Sequence, residues 1–143
     1  MAPATRIAEV LGGEKVLGRR IGSLHELRRA VEGGLPKGSL AHVARAVADD
    51  PKQQRALIHR IVPEATYKRR RERLTFAESE RAERIARVAA LAFDIWGEED
   101  GRAFLGNRHP MLGDETPLEA AASDLGAREV EAILRAIEFG LPA

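Results

Sequence analysis

Apolar positions recur along this chain at spacings of three and four, and no segment of five or more residues alternates apolar and polar between turn signals. The pattern predicts an all-α chain. A first short helix fits residues 4–11 and stops at Gly12-Gly13. Ser23, followed three residues later by Glu26, reads as a capping box. The helix it opens places Leu24, Leu27 and Val31 on one side and ends at Gly33-Gly34. A third helix over residues 36–48 presents Leu40, Val43, Ala44 and Val47. Asp50-Pro51 is an N-cap followed by proline at the first helical position, and it opens a helix over residues 51–61 that buries Ala56, Leu57 and Ile61.

Pro63 pushes Val62 away from helical geometry, so a turn falls there and a short helix follows over residues 64–73. Thr75 with Glu78 forms a second capping box, and the helix it starts runs to Trp96. Ile85, Val88, Ala89, Ala92 and Trp96 make one stripe, while Leu91 and Ile95 lie off it. A helix apolar on more than one side belongs in the middle of a bundle or in a dimer interface. Beyond Gly97 come a short helix over residues 98–105 and a loop over 106–115 carrying Asn107, Pro110 and Gly113. Thr116-Pro117 starts a brief helix to about Ala122. Asp124 caps the last helix, where Ala127, Val130, Leu134 and Ile137 repeat before Gly140 and the tail Leu141-Pro142-Ala143.

Composition narrows the function classes. A chain of 143 residues holds one domain, or two small ones sharing a core. It has no cysteine, which removes disulfides, thiol catalysis and cysteine zinc sites. No apolar run reaches the ~20 residues of a membrane span, and residues 1–6 lack the apolar core of a signal peptide. These features predict a cytoplasmic protein without a membrane partner. Charge changes the picture more. Residues 1–93 carry 19 Lys/Arg against 11 Asp/Glu, a net of +8, and residues 94–143 carry 4 against 11, a net of −7. Two surfaces of opposite sign suggest two partners, a polyanion such as DNA and a second protein.

The basic half concentrates in Lys68-Arg69-Arg70-Arg71-Glu72-Arg73. Two short helices joined by a tight turn, the second rich in cations, is the helix-turn-helix layout. Leu57, Ile58 and Ile61 anchor the first helix. Thr66, Tyr67 and Arg70 are placed to reach base edges or the sugar-phosphate rail, and Lys68, Arg69, Arg71 and Arg73 to hold phosphates. The competing reading is a solvated basic face, and the turn has Val62-Pro63 where such units usually have glycine. Four successive cations exceed what solubility needs, which favours DNA contact.

No enzyme chemistry emerges. His25, His42, His59 and His109 are scattered, and His59 is placed to pack beside the turn or face solvent. Glu98-Glu99-Asp100 fits a helix N-terminus better than a paired-carboxylate site. There is no P-loop, dinucleotide fingerprint or nucleophile elbow. No catalytic residue, metal or cofactor is implied. At the acidic end, Glu131, Arg135 and Glu138 share one side of the last helix beside the apolar tail. They are either a binding surface or ordinary i,i+4 and i,i+3 pairs.

The stretch Ala56-Leu57-Ile58-His59-Arg60-Ile61-Val62-Pro63-Glu64-Ala65-Thr66-Tyr67-Lys68-Arg69-Arg70, then Arg73-Leu74-Thr75-Phe76-Ala77-Glu78-Ser79-Glu80-Arg81 and Ile85-Ala86-Arg87-Val88, resembles the Xre/MbcA/ParS antitoxin family. So do the Asn107 to Leu112 loop, Thr116-Pro117-Leu118, Gly126-Ala127-Arg128-Glu129-Val130-Glu131 and Ile137-Glu138-Phe139-Gly140. The resemblance covers about residues 37–143. It implies an Xre-like helix-turn-helix bundle over residues 1–74 and a small toxin-binding domain over 75–143, linked by the long helix at about 76–96. It further implies a non-catalytic antitoxin whose partner is a RES-domain toxin that consumes NAD⁺. The C-terminal region, with Arg128, Glu131, Arg135, Glu138, Leu141, Pro142 and Ala143, would cover the toxin's active site. A homodimer within a larger toxin–antitoxin complex, repressing its own operon by binding operator DNA, completes the expectation. The tail after Gly140 departs from the aromatic or β-branched end expected of the family. Two alternatives stay open: a stand-alone dimeric helix-turn-helix regulator, and a toxin-binding protein with no DNA function.

Overall fold

The computed structural model describes residues 3–140, and among them there are helices and turns but no strand. The order is α1 (Ala4–Val10), α2 (Gly13–Leu17), α3 (Leu24–Glu32), α4 (Gly38–Val47), α5 (Pro51–Ile61), α6 (Glu64–Arg69), α7 (Phe76–Gly106), α8 (Pro117–Ala120) and α9 (Asp124–Glu138). Side-chain caps written in the sequence set most of the starts. Ser23 accepts from the Glu26 N–H, Asp50 from Lys52, and Thr75 from Glu78, whose carboxylate returns the bond. Thr116 and Glu119 form a further complete capping box. The last helix is capped by Ser123, whose hydroxyl accepts from Gly126, rather than by Asp124, which lies one residue inside.

The long helix α7 is the axis of the molecule. It packs against α1, α3, α4, α5, α8 and α9. Ile85, Ala86, Val88, Ala89, Ala92 and the off-stripe Leu91 are all buried within the same chain. Alanine on so many sides lets several neighbours approach one helix closely. Of the two placements the sequence allows for this helix, the structure has the bundle interior. These buried faces are therefore not available as a dimer seam, although Phe76 at the start of α7 stays exposed. The expected stop at Gly97 is a kink with φ +84°, after which a second helical segment runs on to Gly106. Trp96 packs beside Phe104 across that kink, ring centroids 4.8 Å apart.

Four local expectations are corrected. The helix after the Val62-Pro63 turn ends at Arg69, not Arg73. Ala56 on α5 is exposed, while Leu57 and Ile61 are buried. α2 was not foreseen, because five residues opening on Gly13 are too few to show a period. The loop after Gly106 contains one 3₁₀ turn over Pro110–Leu112, with Leu112 buried. A single hydrophobic cluster includes Ile7 and Leu11 near one end of the chain and Val130 and Leu134 near the other.

Candidate functional site

The turn between α5 and α6 holds its shape without glycine. Val62 has φ −134° and Pro63 φ −53°, so neither residue needs left-handed geometry. The Val62 side chain is fully buried and its N–H donates to the Ile58 carbonyl at 2.9 Å. α6 itself contributes no buried residue. Neighbours hold it through Tyr67. The His59 ring meets the tyrosine edge-on at 5.8 Å, and the Lys37 ammonium sits 4.2 Å from the tyrosine ring centroid.

The cations expected to contact DNA divide into two groups. Lys68, Arg69 and Arg71 are exposed. Lys68 pairs with Glu64 at 3.2 Å, and that bond holds the exposed Glu64 carboxyl below its usual range. Arg69 and Arg71 form no ion pair among the described residues. Arg70 and Arg73 have other work. Arg70 Nη2 lies 3.0 and 2.8 Å from the two oxygens of Glu78, the residue that closes the α7 capping box. Arg73 donates to the Gly34 carbonyl at 2.9 Å. Thr66 is half-buried.

A short antiparallel contact explains why α6 stops early. Lys37 N–H donates to Glu72 at 2.9 Å and Leu74 N–H to Leu35 at 2.8 Å, pairing Pro36 with Arg73. Residues 72–74 are thereby held in a non-helical bridge to residues 35–37. The approach is close: Gly34 has φ +86°, and a Cβ there would lie 2.5 Å from the Leu74 carbonyl oxygen. The buried Ser79 hydroxyl accepts from Leu35 N–H at 2.9 Å, which locks the same strip to α7.

At the other end, α9 buries Ala127, Val130, Ile133 and Leu134. Glu131 faces inward as well. Its carboxylate accepts from Arg87 Nε on α7 at 2.8 Å and from Arg135 Nη2 at 3.2 Å. Arg87 also pairs with Glu83 at 3.2 Å. Burial pushes the Glu83 carboxyl above its usual range despite Arg87, and the charge of Glu131 adds to the rise. Arg128 pairs with Asp124 at 3.1 Å on the surface, and Glu138 is exposed. Leu141, Pro142 and Ala143 lie outside the described residues. The predicted set therefore splits, with Glu131 turned into the bundle while Arg128, Arg135 and Glu138 stay outside. The outward face also carries two large apolar residues that the periodic reading missed, Leu125 at 71% exposed and Phe139 at 70%. Both fall off the inner stripe, which was the signal available for them.

Two family matches fall on these two regions. Residues 26–87 match the antitoxin Xre-like helix-turn-helix domain, and residues 91–140 match the antitoxin Xre/MbcA/ParS C-terminal toxin-binding domain. Together they leave out only 88–90 between their outer limits. The chain belongs to the Xre/MbcA/ParS antitoxin family. No curated protein matches it at a significant level.

In this antitoxin the helix-turn-helix match contains α5, the Val62-Pro63 turn and α6, and the toxin-binding match contains α8 and α9. The first match ends at Arg87 and the second begins at Leu91, so both draw on α7. His59 packs beside the turn, as one of its two expected placements required. Lys37 is the cation that sequence reading missed. It sat inside a predicted helix, whereas it is the residue flanking α4 that reaches Tyr67. Among the described residues no helix is long and apolar enough to cross a membrane.

Proposed function

We propose that this antitoxin neutralises a RES-domain toxin that consumes NAD⁺ by laying the outer face of α9 and the chain end across the entrance to the toxin's active site. The observation that carries the reading is the pair Leu125 and Phe139. Each is about 70% exposed (71% and 70%), at opposite ends of a helix whose inner face is fully used. They stand fourteen positions apart, about 21 Å at 1.5 Å of helical rise per residue. Arg128, Glu129, Ala132 and Arg135 lie between at helical spacing, so an apolar anchor stands at each end of a polar, mixed-charge middle. Buried aromatic and aliphatic anchors within a polar rim are what a protein docking surface requires.

The same chain represses its own operon, with Lys68, Arg69 and Arg71 on phosphates and Thr66 and Tyr67 nearest the bases. The half over residues 1–74 serves DNA and the half over 75–143 serves the toxin. Two copies act together, as a palindromic operator needs. With the apolar faces of α7 buried, the second copy is assigned to the groove of about 660 Å³ where Leu24 and Phe76 stand exposed between α3 and α7. The toxin half is tested in cells that express the RES-domain toxin. Removing residues 138–143 should restore toxicity. Full neutralisation by the shortened antitoxin rules out occlusion by this end.

A further inference from the structure

We infer that the antitoxin carries a second phosphate-binding site, separate from α6, in the cleft walled by Arg19, Arg29 and Arg73. The cleft has a volume of about 290 Å³, and Gly33, Gly34 and Leu35 also line it. Its distinguishing property is charge. Three arginines line it and no acidic residue does. Three further clefts each include carboxylates: Asp49 and Glu119 in one, Glu9 and Glu98 in the next, Glu83 and Glu131 in the third. Arg19 forms no ion pair among the described residues. Arg29 reaches only Glu32, at 3.7 Å on an exposed face, and such pairs are readily exchanged for a stronger anion. Arginines grouped around a concave site with no carboxylate in its wall suit a phosphate group, which guanidiniums bind through paired N–H donors.

Position decides which phosphate. Arg73 is held in the wall by its bond to Gly34, and the Pro36–Arg73 pairing fixes this wall beside Lys37, which covers Tyr67 of α6. From Arg69 through Arg71 to Arg73 the chain is at most about 14 Å long. The cleft therefore lies no farther from Arg69 than the axial rise of about four base pairs at 3.4 Å each. The cleft thus continues the cationic strip of α6 and takes a DNA backbone phosphate flanking the bases nearest α6. This inference rests on the DNA half of the proposed function. A site of this kind adds affinity on any sequence and adds nothing to discrimination.

The test is a salt titration of the full-length antitoxin on its operator duplex and on an unrelated duplex. Arg19→Ala with Arg29→Ala should lower the slope of log affinity against log salt by about one unit on both duplexes. The ratio of the two affinities should not change, and Arg19→Lys with Arg29→Lys should retain most of the slope. Titration calorimetry with inorganic phosphate forms the second arm, and no saturable site at millimolar concentration is expected. An unchanged slope in the alanine variant overturns the site. So does a changed ratio, which would mean base reading, and so does a saturable phosphate site that the variant loses while its DNA slope stays intact. If the unmodified antitoxin binds neither duplex, the DNA half of the proposed function fails together with this site.

Discussion

The helices α6 and α9 reach the surface by opposite routes. α9 has fifteen residues and buries a full stripe of its own, so its outer face is presented by a rigid element. α6 has six residues, buries none, and is placed by others: Tyr67 between His59 and Lys37, Arg70 on Glu78, Arg73 on Gly34. A run of cations therefore cannot be read as a uniform DNA surface. Arg70 and Arg73 bond to the protein and give the other members of the run their geometry. On α9 the division is simpler, since the inner face packs into the bundle and the outer face is left exposed. Glu131 is the exception, an acidic residue that joins α9 to α7 through Arg87.

The comparison breaks most visibly at Arg70. Arg70→Ala strands the largely buried Glu78 carboxylate beside the α7 cap and should destabilise the fold by about 2–3 kcal/mol in urea unfolding, somewhat less than a fully buried pair because Arg70 is partly open. Adding Glu78→Gln should recover part of that loss. A loss within ~0.5 kcal/mol, the range for surface changes, would return Arg70 to the DNA-facing set. Arg69→Ala with Arg71→Ala should do the reverse. Stability should stay within ~0.5 kcal/mol, while the salt slope of DNA binding falls by about two units, one per phosphate lost.

The smallest effect sharpens the α9 side. The Glu83 carboxyl is raised above its usual range by burial. Folded protein therefore holds this proton more tightly than unfolded chain, and the burden of ionising it grows as pH rises from the unfolded value through the folded one. Glu83→Gln should then raise the melting temperature at pH 7, with Arg87 still paired to Glu131. The gain should disappear below the ordinary carboxylate range, where Glu83 is protonated in both states. A gain that grows on acidification contradicts this account of the α7–α9 contact.

How much of this the sequence carried can be traced residue by residue. Local signals were legible: the Thr75–Glu78 box, Asp50-Pro51, Thr116-Pro117 and the break at Gly97 all follow from short-range chemistry. The burial of α7 on several sides was legible from Leu91 lying off the main stripe. The short α6 was not, because the contact that ends it joins residues 35–37 to 72–74, a long-range pairing that no local period encodes. The division of labour within residues 68–73 was hidden for the same reason. It depends on Glu78 and Gly34, which reach the strip only once α7 is in place. The missing turn glycine looked like an obstacle to a helix-turn-helix, but backbone angles at Val62 and Pro63 remove it.

The central claim is that toxin and DNA use separate surfaces of one chain, and a crossed binding experiment tests it most directly. Two variants, Leu125→Glu with Phe139→Glu and Arg69→Ala with Arg71→Ala, are each titrated with the RES-domain toxin and with operator DNA. The account predicts that the first variant loses at least about a hundredfold in toxin affinity, as the loss of two apolar anchors at ~1.4 kcal/mol each implies, and keeps its DNA affinity. The second should lose DNA affinity and keep the toxin. Toxin affinity unchanged in the first variant, or lost equally in both, would contradict it.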